Sequence, residues 1–98
     1  MKGFGSSKNK KLNIQKNLNR DEIVNLAIKL HSQGNLELAT KYYKLCIKNN
    51  INDQRIFCNY GVILRNLGKL HDAELILRKF ISINPTAVVA YINLSGIL

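Results

Sequence analysis

With 98 residues there is room for one small domain, and a hydrophobic content of 46% supplies a core, which excludes wholesale disorder. No apolar run of about 18 residues exists to span a membrane, and no apolar stretch follows the N-terminal lysines as it would in a secretory signal. The net charge of +9 is uneven, because residues 1–20 carry six bases and no acid while the rest carries nine bases and six acids.

Residues 1–19 are rich in Gly, Ser, Asn and Lys and have no sustained apolar period, so a flexible basic tail is expected there. Phe4 is the one aromatic residue among its charges, so it reads as a solubilising leader and nucleic acid is not an expected partner. Ile23, Leu26, Ala27 and Leu30 recur at i, i+3, i+4 and i+7 and predict a helix over 20–33. Asn19 is its N-cap, with Glu22 in capping-box position. Gly34 ends it, because glycine takes the left-handed conformation at little cost. Asn35 can cap a second helix, 36–49, whose apolar face is Leu36, Ala39, Tyr43, Cys46 and Ile47. A third, 54–67, presents Phe57, Tyr60, Gly61 and Leu64 and ends at Gly68. A fourth, 70–83, presents Leu70, Ala73, Leu77, Phe80 and Ile81, and Asn84-Pro85 closes it, since proline cannot continue a helix. A fifth is predicted over 86–98, with Tyr91 in the core and Leu94 and Leu98 packed on the preceding unit.

These elements repeat. A shift of 34 residues places Asn25 on Asn59, Leu30 on Leu64, Gly34 on Gly68, Ala39 on Ala73 and Asn50 on Asn84. A further shift brings Tyr91 onto Phe57 and Ile23, and Asn93 onto Asn59 and Asn25. The units are then 20–53, 54–87 and a partial third, 88–98, so the domain is 20–98. Small residues at Ala27, Gly61, Ala39 and Ala73 let paired helices approach closely; a helical glycine costs about 1 kcal/mol relative to Ala, so Gly61 is there for packing.

The pattern resembles the tetratricopeptide repeat. The second unit carries its signature in Phe57, Tyr60-Gly61, Leu64, Gly68, Ala73, Leu77 and Pro85. The first is looser, with Ile23, Leu26-Ala27, Leu30, Gly34, Ala39, Tyr43 and Cys46, and Ile51 stands where the family usually has proline. Phe80 departs from the small residue the family favours, and the small pair Ser95-Gly96 is a candidate surface for it. The resemblance implies an all-α solenoid, a superhelix whose concave groove is lined by the first helix of each unit. Carried over by position, the groove residues are Asp21, Val24, Asn25, Ile28, His31 and Ser32, then Arg55, Cys58, Asn59, Val62, Arg65 and Asn66, then Val89, Ile92 and Asn93.

Asn25, Asn59 and Asn93 hold one position in all three units. A primary amide offers two donors and an acceptor, so a row of them can pair with an extended peptide backbone whatever its side chains. A similar asparagine ladder exists in the repeat arm of protein O-GlcNAc transferases. The alternative is that these amides only bridge neighbouring helices. With Arg55, Arg65, Val62 and Asn66 they form the candidate peptide-binding set. A carboxylate clamp for chaperone C-termini is not expected, because Val89 and Asn93 stand where the family's clamp needs bases, and Asp21 is an acid where a base is wanted.

Chemistry finds no foothold elsewhere. His31 and His71 have no ligand partners at metal spacing and read as solvated side chains. Cys46 and Cys58 form neither a disulfide framework nor a zinc site; Cys46 reads as a core hydrophobe, and Cys58, on the groove side, could be a reactive thiol only beside a cation. No nucleophile–base pair, carboxylate pair or cofactor motif is present, so no catalytic residue, cofactor or metal is expected. The function expected is a cytoplasmic, non-catalytic scaffold binding a protein or peptide. The helix over 86–98 has few polar residues and no following helix to cover it, which predicts either a longer protein or self-association through that helix. In the first case the alternative is the N-terminal arm of a glycosyl-, methyl- or sulfotransferase.

Overall fold

The computed structural model describes residues 18–98. The flexible tail expected over residues 1–19 therefore falls largely outside the described residues. Five helices follow in order: α1 (Arg20–Ser32), α2 (Leu36–Lys48), α3 (Gln54–Asn66), α4 (Leu70–Ile83) and α5 (Val88–Ser95). No strand occurs among the described residues.

Local chemistry fixes the helix ends. At the start of α1 the Glu22 N–H donates to Asn19 Oδ1 at 2.8 Å, and the Asn19 N–H donates to Glu22 Oε1 at 2.9 Å. This is the reciprocal capping box, which satisfies two otherwise orphaned donors. Gly34 and Gly68 both sit at φ +80°, where a Cβ is strained. Beyond them the chain folds back in the same way: Asn35 N–H donates to Leu30 O at 2.9 Å, and Lys69 N–H to Leu64 O at 2.8 Å. Each bond recovers a carbonyl that the helix end leaves unpaired.

The second helices of the two units end differently, although the repeat register aligns Asn50 with Asn84. Asn50 takes the left-handed conformation at φ 59°, and Ile51 N–H donates to Cys46 O at 3.0 Å, dropping Ile51 into the core. Asn84 stays at φ −134°, and Pro85 carries the turn instead.

Each unit is a helix pair joined by a three-residue connection. α2 packs on α1 and on α3, and α4 packs on α3 and on α5. The first helices also touch in series, α1 on α3 and α3 on α5, and so form one layer. One core runs through all five helices, from Ile23 to Leu94. Ala27, Ala39 and Ala73 are fully buried at the helix crossings. A Cβ on Gly61 would stand 3.3 Å from Leu77 Cγ and Cδ2, which explains the glycine there.

Several expected core positions lie outside. Leu36 and Leu70 are exposed, because they occupy the first turn of the second helices, beside the glycine turns. Phe80 is buried against Phe57, with ring centroids 5.0 Å apart. Ser95 and Gly96, the candidate surface for it, are exposed. Helix α5 is shorter than the predicted 86–98. Tyr91 is 46% exposed, and its hydroxyl donates to Pro85 O at 2.9 Å. Leu94 is buried as expected, but Leu98 is 72% exposed, in the turn after α5.

Candidate functional site: the layer of first helices

The residues assigned to the groove all lie on α1, α3 and α5, but they do not share one environment. Asn25, Arg55 and Asn66 are exposed, and Asn59, Asn93, Val62 and Arg65 are half-buried. Among the neighbouring positions, Asp21, Ser32, Val89 and Ile92 are exposed and Ile28 is half-buried. Val24 and Cys58, also assigned to the groove, are in the core. The reason is positional: each precedes a ladder asparagine and faces the seam between adjacent first helices, where α3 covers α1 and α5 covers α3.

The three ladder amides meet different partners. Asn25 Oδ1 accepts from Arg55 Nη1 at 3.5 Å, a long contact that leaves the amide largely available. Asn59 faces the Tyr43 hydroxyl; burial pushes the Tyr43 phenol up, and the Asn59 amide partly opposes that shift. Asn93 stands toward Cys58 in the same way, opposing the upward push of burial on the thiol. Asn59 and Asn93 are half-buried, and Asn25 is the most exposed of the three.

Arg55 is the best-organised charge on this face. Asp53, the N-cap of α3, accepts from Arg55 Nε at 3.0 Å, from Nη2 at 2.8 Å and from the Arg55 backbone N–H at 2.9 Å. The Arg55 guanidinium holds the Asp53 carboxyl below the usual carboxylate range, against the opposing effect of burial. This two-pronged pairing fixes the guanidinium at the edge of the layer, with the Nη1 side turned to Asn25. Arg65, at the other end of α3, lies over Gly96, 3.7 Å from where a Cβ would be.

His31 and Cys58 stand elsewhere than the sequence suggested, whereas Cys46 is in the core as expected. His31 is not a solvated side chain: its Nδ1 lies 2.8 Å from the Tyr43 hydroxyl, and the rings meet edge to face at 5.8 Å. The spacing carried a signal for this, because His31 follows Ala27 by one turn on the side that meets α2. Cys58 and Cys46 are both buried and free. Burial pushes both thiols up, Cys46 to about 11, which disfavours the thiolate. Among the described residues no three His, Cys, Asp or Glu side chains converge on a metal position, and no helix is long and apolar enough to cross a membrane.

A serial layer of first helices backed by second helices defines the class of the molecule, an all-α helical repeat. Residues 54–86 match the family model described as Tetratricopeptide repeat. The match spans the second unit, where Tyr60-Gly61, Gly68 and Pro85 make the signature most complete. The first unit, with Ile51 in the proline position, lies outside the match. No curated protein and no solved structure matches the chain.

Proposed function

We propose that the chain is a non-catalytic scaffold that holds an extended segment of a partner polypeptide along α1, α3 and α5. The observation that carries this reading is the recurrence of Asn25, Asn59 and Asn93 on a single layer of touching helices, at the same place in each unit. Asn25 offers most of its hydrogen-bonding capacity, and Arg55 beside it adds a fixed cation for a carboxylate or backbone carbonyl of the ligand. Asn59 and Asn93, half-buried, contribute the exposed part of their amides. The ladder then works as in the transferase repeat arms it resembles, gripping main chain rather than side chains. Two free, buried thiols suit a reducing compartment, and we assign this work to the cytoplasm.

The test starts from peptides selected against the full chain from a random displayed library. Asn25→Ala is the cleaner substitution, because its amide is exposed and supports no core contact. Its loss should weaken the selected peptides by roughly twofold to tenfold, the equivalent of one hydrogen bond of about 0.5–1.5 kcal/mol. Asn59→Ala should weaken them as well, with part of its effect appearing as lost stability because the side chain is half-buried. Selected peptides indifferent to all three asparagines would return the ladder to bridging between helices.

A further inference from the structure

A groove of about 900 Å³ lies away from the asparagine ladder. Its walls are the first half of α2, with Leu36, Leu38, Lys41 and Lys44, and the end of α3, with Ile63 and Leu67. Ile63 is buried and forms the floor, while Leu36, Leu38 and Leu67 expose large aliphatic side chains along the walls. Exposed leucines gathered in one place on a small domain mark a contact surface rather than scatter.

The charge on the rim is not answered within the chain. Lys41 and Lys44 are exposed and one helical turn apart. The ion pairs among the described residues are Arg55–Asp53 and Arg78–Glu74, and neither involves these lysines. Glu37 lies on the same stretch of α2 and leaves the rim with a net positive charge. Residues 1–17 contain no acid to supply the missing partner. A second copy does not supply it either, because none of the five helices carries a net negative charge.

We propose that this groove docks an acidic amphipathic helix of a partner protein. Its apolar side chains, spaced at i, i+4 and i+7, meet Leu36, Leu38, Ile63 and Leu67, and its carboxylates meet Lys41 and Lys44. The recessed floor favours a cylinder over a flat lipid surface, which reaches the walls and leaves Ile63 uncovered. Nucleic acid would use the lysines and gain nothing from the leucines. The site does not depend on the asparagine layer, and a ligand there does not compete with one here.

The probe is a synthetic helical peptide with leucines at i, i+4 and i+7 and glutamates elsewhere, together with a counterpart in which lysines replace the glutamates. Fluorescence anisotropy with the full chain should show binding of the acidic peptide, weakening as salt rises, and none of the basic one. Lys41→Glu combined with Lys44→Glu should weaken the acidic peptide by about tenfold or more, and should let the basic peptide bind. Leu67→Ser, at a largely exposed position, should weaken it several-fold while leaving the melting curve in place. Asn25→Ala should leave it unchanged. The same charge reversal at Lys29 and Lys79 separates a built site from general attraction to a basic protein. An equal loss there overturns the proposal, as does indifference to Leu67→Ser or no binding of the acidic peptide. Binding to phosphatidylserine-containing vesicles that is lost through the same lysines would assign the face to lipid instead.

Discussion

Helices α3 and α5 occupy the same place in successive units and carry matching residues, Phe57 with Tyr91 and Asn59 with Asn93. On α3 seven residues are buried, from Ile56 to Leu64; on α5 only Ala90 and Leu94 are. The difference comes from neighbours. α3 is packed by α1, α2, α4 and α5, whereas α5 rests on α3 and α4 alone. Phe57 lies under Phe80, and no described helix stands over Tyr91, whose ring turns outward until its hydroxyl finds Pro85 O. In a stacked array the burial of a side chain is thus set by where its unit stands in the stack, and the residue type adapts or fails to.

The largest expected effect breaks that contrast directly. Phe57→Ala removes a fully buried ring and should cost about 3–5 kcal/mol, a large share of the roughly 5–15 kcal/mol that holds a small domain together. Tyr91→Ala at the matching position should cost less than about 1 kcal/mol, because the ring is already half in water. Urea denaturation of both variants checks it, and equal losses would mean that α5 is covered as α3 is. The next effect separates the two unit ends. Asn50→Ala puts an ordinary residue in the left-handed conformation and should cost about 1–2 kcal/mol, while Asn84→Ala, in extended backbone, should stay within about 0.5 kcal/mol. The difference in thermal midpoints reports it. The smallest effect concerns Asp53 and Arg55. Because the Asp53 carboxyl is held low in the folded chain, the pair contributes stability above the unfolded carboxylate pKa of about 3.9 and loses it as pH falls through the lower folded value. The stability gap between the chain and Arg55→Ala should therefore be present at neutral pH and close in acid. A gap that persists or widens in acid would contradict the pairing.

The repeating features were legible in the sequence because each has a local cause. The 34-residue register, the glycines at 34 and 68, the capping box at Asn19 and Glu22 and the small residue at Gly61 all act within one turn or one helix crossing, and the helix bounds follow them to within three residues. What the sequence hid depends on the stack. Tyr91 and Leu98 look like core by register and are not, because their covering depends on a neighbour. Val24 and Cys58 look like groove residues by register and are buried, because adjacent first helices close over them. Asn50 and Asn84 align in sequence yet diverge in backbone, since Pro85 removes the option that Ile51 leaves open. Of the candidate site, the layer was readable and the inequality of its asparagines was not. That inequality is one of burial, with Asn25 exposed and Asn59 and Asn93 half-buried.

Amide hydrogen exchange, measured on the chain alone and with a selected peptide bound, tests most directly whether the layer of first helices is the binding face. In the free chain α3 should exchange slowest and α5 fastest, following their cover. Bound peptide should slow α1, α3 and α5, with the largest gain on α5, which starts with least protection, and leave the outer turns of α2 and α4 unchanged. Protection confined to α2 and α4, with α1, α3 and α5 unaffected, would contradict the assignment of that layer to partner binding.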